Sequence, residues 1–136
     1  MFIVVDADHR RRPGDSKLTI HKIQNKKELE EFKRKWVEEA FESIYEDQDM
    51  SEIINLILNY DSQGENKNKH YVYELDEDDN IDSIILIKEG DRINQEGHEK
   101  MHIEIGGDSI YVSKNNIQIE NEWGGDFMYE ILIEEI

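Results

Sequence analysis

Apolar residues recur three or four positions apart over residues 25–47, at Leu29, Phe32, Trp36, Ala40, Phe41 and Ile44. That repeat lines them along one side of an α-helix. Lys, Arg and Glu fill the positions between them, all good helix formers on an exposed side. The three large aromatics in the stripe need a surface to pack on, and strand-like segments elsewhere supply one. Asp49 and Glu52 have capping-box spacing. The Ile- and Leu-rich residues 52–60 then predict a short, buried second helix.

Elsewhere the period is two. Residues 1–5 form a short run that is apolar on both faces, which suits a central strand. Residues 6–15 are expected to break it, with Arg10, Arg11 and Arg12 followed by the turn pair Pro13-Gly14. Residues 17–24 read as a second strand, completing a hairpin with a basic loop. Residues 61–69 are polar and read as a loop. From His70 onward, Tyr71, Tyr73 and Leu75 alternate with polar or smaller residues, and residues 84–87 make a continuous apolar strand. Met101, Ile103 and Ile105, then Ile110 and Val112, then Ile117 and Ile119 alternate in the same way, separated by Gly106-Gly107-Asp108 and Lys114-Asn115-Asn116 turns. Residues 127–133 fit either a strand face or a helix face. Strict alternation of Phe127, Tyr129, Ile131 and Ile133 favours the strand.

The pattern therefore predicts an α+β fold in a single domain, with an antiparallel β-meander sheet packed against one long and one short helix. Residues 1–24 form the hairpin, 25–60 the two helices and 70–136 the meander.

Charge changes this picture most. The 136-residue chain carries a formal net charge of −17. Residues 1–36 hold ten Lys/Arg against six Asp/Glu, and the remainder holds six against 27. A field of this sign repels nucleic acid and anionic membranes and attracts basic surfaces. There is no cysteine, hence neither a disulfide nor a thiolate site. No run of about 18 apolar residues is present to span a membrane. The first residues lack a basic n-region, so a cytoplasmic protein is expected.

Motif chemistry is sparse. His98-Glu99-Lys100-Met101-His102 matches H-E-x-x-H, which binds zinc only when a helix puts both histidines on one face. Here the following residues alternate as a strand. In an extended chain the two histidines lie about 13 Å apart, too far to chelate one ion. The expected alternative is a loop-to-strand junction with surface histidines. Asp76-Glu77-Asp78-Asp79-Asn80-Ile81-Asp82 resembles the start of an EF-hand loop, but Ile81 and Ile87 hold the slots that need Gly and Glu. Asp6, Asp8 and His9 form an acidic-plus-imidazole group that completes no motif. No glycine-rich phosphate loop or G-x-S-x-G is present. No cofactor, metal or catalytic residue is therefore expected.

Charge and size lead to a functional expectation by analogy. The chain reads as an acidic inhibitory module that blocks a basic nucleic-acid-handling protein by nucleic-acid mimicry, the strategy of phage anti-CRISPR and anti-restriction proteins. A toxin immunity protein or antitoxin neutralising a basic toxin shares the same physics, and a zinc hydrolase through His98, Glu99 and His102 is the weaker third reading. The expected partner is a basic nuclease, nucleic-acid-binding effector or toxin, with neither direct nucleic-acid nor membrane binding. The expected contact residues are Glu38, Glu39, Glu42, Glu46, Asp47, Asp49, Asp76, Glu77, Asp78, Asp79 and Asp82, with Tyr45, Tyr71 and Tyr73 as aromatic anchors.

Overall fold

The computed structural model describes residues 1–10, 17–46, 48–61, 64, 69–75, 81–89, 100–121 and 127–136, with 9, 10, 75, 81–89, 127 and 128 described through their backbone only. The chain begins with β1 (Phe2–Arg10), which pairs antiparallel with β2 (Lys17–Ile23). The expected break after Val5 does not occur, because β1 runs on through Asp6, Ala7 and Asp8 to Arg10. Its backbone pairs with β2 as far as Asp8 and with the last strand through Arg10. The Asp6 side chain is accommodated by a donor from the helix above it.

That helix is α1 (Lys26–Ile44). Asn25 caps it, its Oδ1 accepting from Glu28 N at 2.9 Å, while Glu28 Oε2 accepts from Gln24 N at 3.1 Å. This side-chain and backbone exchange satisfies donors that a helix start leaves open. The short α2 (Ser51–Leu58) follows. Its expected capping box is not formed. Asp49 Oδ1 instead accepts from Ser51 N and Ser51 Oγ, one residue ahead of the cap at Met50, and Met50 contributes no side-chain bond.

The remaining strands are β3 (Lys69–Leu75), β4 (Ile81–Glu89), β5 (Met101–Ile105), β6 (Asp108–Ser113), β7 (Asn116–Asn121) and β8 (Phe127–Glu135). All eight strands form one sheet in the order β2-β1-β8-β7-β6-β5-β3-β4. The fold is α+β, with a mostly antiparallel sheet and two helices. Strands β5 to β8 pair antiparallel in succession. The expected run of consecutive pairings across 70–136 is interrupted, however, because β3 pairs in parallel with β5, and β4 lies outside β3 at the sheet edge. Strand β4 runs back alongside β3, which returns the chain to the end of the sheet where β5 begins. Residues 127–133 are strand, and β8 closes against β1.

Both helices pack on one face of the sheet. Val37, Phe41, Ile53 and Ile57 bury themselves against Val4, Ile103, Ile105, Ile110, Ile117, Ile119 and Ile131 in one cluster. Each such apolar side chain contributes roughly 1.5–3 kcal/mol on burial. Polar contacts fix how α1 sits. Trp36 Nε1 donates to Asp6 Oδ1 at 3.0 Å, and the rings of Phe32 and His21 lie 4.7 Å apart. At the far end of α1, Tyr45 Oη donates to Asp108 Oδ2 at 2.7 Å, and Asn121 Nδ2 donates to Asp108 Oδ1 at 2.8 Å.

Candidate functional sites

The second half of α1 and the turn after it carry the acidic surface. Glu38, Glu39, Glu42, Glu46, Asp49 and Glu52 are all exposed. Two cations lie just upstream. Arg34 Nη1 is 3.8 Å from Glu38 Oε1 and Lys35 Nζ is 4.0 Å from Glu39 Oε1. Both acids keep more than half of their side-chain surface in water, and solvated pairs of this kind are worth only a few tenths of a kcal/mol. Glu42 follows Glu38 by one turn, and Glu46 lies two residues beyond the end of the helix. The last turn of α1 contains no basic residue. Asp49 is held below the ordinary carboxylate range, first by the Ser51 hydroxyl and then by the Ser51 backbone N–H, so it stays charged.

The three tyrosines expected to anchor a partner do not reach this surface. Tyr45, Tyr71 and Tyr73 are buried at 6%, 8% and 3% exposure. Alternation puts Tyr71 and Tyr73 on the helix-covered face of β3, and Tyr45 turns its ring inward edge-on to Phe41, 5.5 Å away. Aromatic residues are as often core as contact, and here packing takes them. Burial raises the Tyr73 hydroxyl to about 12, helped by the negative charge of Glu52 and then by Tyr71. Burial, followed by the Asp108 carboxylate, raises Tyr45 further still. Of the other expected contacts, Asp47, Asp76, Glu77, Asp78, Asp79 and the side chain of Asp82 lie outside the described residues. So do His98, Glu99, Arg11, Arg12 and the side chains of His9 and Arg10. Asp6 serves Trp36 and lies 3.8 Å from His21 Nε2, which gives it a structural role.

A second cluster lies on the sheet face turned away from both helices. The parallel register sets His70 beside His102 and Val72 beside Glu104, and the antiparallel register sets His102 opposite Tyr111 and Glu104 opposite Ser109. The three rings stack in a row. His70 and His102 are 4.4 Å apart with planes 12° from parallel, and His102 and Tyr111 are 4.5 Å apart at 11°. Glu104 Oε1 lies 3.0 Å from His70 Nε2 and 3.9 Å from His102 Nε2. Ser109 Oγ lies 3.2 Å from His102 Nε2. His102 was expected at the surface but is 6% exposed, because rings flank it on both sides. Met101–Ile105 is a strand, so His102 is not on the helix that H-E-x-x-H chemistry requires. His70 belongs to no sequence motif. Its only signal is the alternation that puts it on the same strand face as Val72.

Comparison with known proteins gives no match: neither a protein family, nor a curated protein, nor a solved structure matches this chain. No helix among the described residues is long and apolar enough to cross a membrane.

Proposed function

We propose that the chain is an acidic protein-binding module that occupies the nucleic-acid groove of a basic partner, its carboxylates standing in for phosphates. The partner is a nuclease, a nucleic-acid-binding effector or a basic toxin. One observation carries this reading: Glu38 and Glu42 stand one turn apart at the C-terminal end of α1, with Glu46 two residues beyond it, and all three are exposed. Like charges at this spacing repel. A helix C-terminus carries partial negative charge and favours cations. The placement thus works against the helix on both counts, while nothing in the core requires it. A surface shaped for solubility alone meets the same need with acids at the helix start. Acids that lower local stability fit a surface kept for an external positive charge. Electrostatic steering would speed association and make it salt-sensitive.

The test is binding of the purified chain to a panel of basic nucleases and nucleic-acid-binding proteins, with acidic proteins of similar size as controls. Selective binding to one or more basic members that weakens steeply with added salt supports the reading. Equal, salt-insensitive binding to both groups contradicts it.

A further inference from the structure

We propose that His70, His102 and Glu104 bind one divalent transition-metal ion of the zinc class on the helix-free face of the sheet. Their ligand-capable atoms all lie within 4.8 Å of one another. Two imidazoles and a carboxylate make a donor set suited to zinc and its neighbours, and three protein ligands leave a fourth position for water. The backbone fixes the set. His102 and Glu104 are two apart on β5 and so share a face, and the parallel register delivers His70 from β3 to the same place. The site differs from H-E-x-x-H in kind, since its two histidines come from two neighbouring strands and not from successive turns of one helix.

The geometry falls short of a closed site by a small side-chain adjustment. Ligand atoms about 2.0–2.2 Å from a tetrahedral zinc are roughly 3.3 Å from each other. The His70 Nε2 to Glu104 Oε1 distance, 3.0 Å, is already in that range, and the His102 Nε2 to Glu104 Oε1 distance, 3.9 Å, must shorten. The stacked rings must also tip towards each other so that both lone pairs meet. Ser109 Oγ, beside His102 Nε2, is the group the ion displaces from that nitrogen. Access is from the Glu104 side, where a third of the side chain is exposed against 15% for His70 and 8% for His102.

The experiment is titration of metal-free protein with Zn²⁺ by calorimetry and with Co²⁺ by visible absorption. One equivalent is expected to bind, with a cobalt ligand-field band of the intensity of a four-coordinate site and a raised melting temperature. His70→Gln and the near-isosteric Glu104→Gln are each expected to weaken binding at least about tenfold while keeping the wild-type near-ultraviolet circular dichroism. His98→Ala and His21→Ala are expected to leave binding unchanged. Absence of a stoichiometric event overturns the proposal. So does binding that survives both glutamine variants, or a loss on His98→Ala as large as on His70→Gln.

Discussion

The Tyr45 hydroxyl donates to Asp108 Oδ2 at 2.7 Å, joining the end of the acidic helix to the first residue of β6. Asn121 fills the other carboxylate oxygen. The pair therefore fixes where the carboxylates of α1 are presented relative to the sheet. Tyr45→Phe keeps the ring in the core and removes one donor from a charged acceptor. The expected loss is about 1.5–3 kcal/mol, read as a lower denaturant midpoint at unchanged slope.

Alkaline pH should unfold the protein through its buried tyrosines. Tyr45 and Tyr73 hold their protons more tightly when folded than when unfolded. Below the ordinary tyrosine value of 10.0 both states are protonated and the stabilisation is complete. Above it the unfolded chain ionises first, so stability falls as pH rises towards the folded value, about 12 for Tyr73. Denaturation midpoints measured across this range should fall above pH 10, and less steeply in Tyr45→Phe. An identical slope in the variant rules out Tyr45 as a contributor.

Charge reversal at the end of α1 should separate stability from binding. Glu42→Lys removes the repulsion with Glu38 one turn earlier and places a cation in the last turn of the helix. A gain of about 0.5–1 kcal/mol is expected, equivalent to a rise of about 1–4 °C in melting temperature. Binding to a basic partner should weaken in the same variant. A variant that loses both properties points to a structural role for Glu42.

Gly106 has φ of 58° in the turn between β5 and β6. A side chain is strained there, so Gly106→Ala should cost about 1–2 kcal/mol by chemical denaturation. The distortion acts at the end of β5, two residues beyond Glu104, so the variant also asks whether β5 register matters to the metal site.

Periodicity made much of the fold legible. The stripe from Leu29 to Ile44 specified α1, continuous apolar runs marked the strands at 1–5 and 84–87, and alternation marked most of the others, including 127–133. Two features were not accessible that way. Asp6 looked like a strand breaker because its partner, Trp36 Nε1, comes from another element. The parallel pairing of β3 with β5 leaves no local trace, since turn signals reveal only neighbours joined by short connections. That pairing is what brings His70 to His102, so the spacing of residues along the chain does not reveal the cluster. The exposure of Glu38, Glu39, Glu42, Glu46 and Asp49 was legible because charge rarely goes inside. Tyr45, Tyr71 and Tyr73 were not, because a tyrosine suits core and contact equally.

Carboxylates of α1 that compete with phosphates would displace nucleic acid from a basic partner, and that displacement can be measured directly. A fluorescent duplex bound to a basic partner from the panel is titrated with the wild-type chain and with Glu38→Lys/Glu42→Lys/Glu46→Lys, following anisotropy at low and high salt. The account predicts that the wild type releases the duplex at low salt, that added salt weakens its hold on the partner, and that the folded lysine variant fails to release it. A duplex that stays bound to every partner, or is released equally by both proteins, contradicts it.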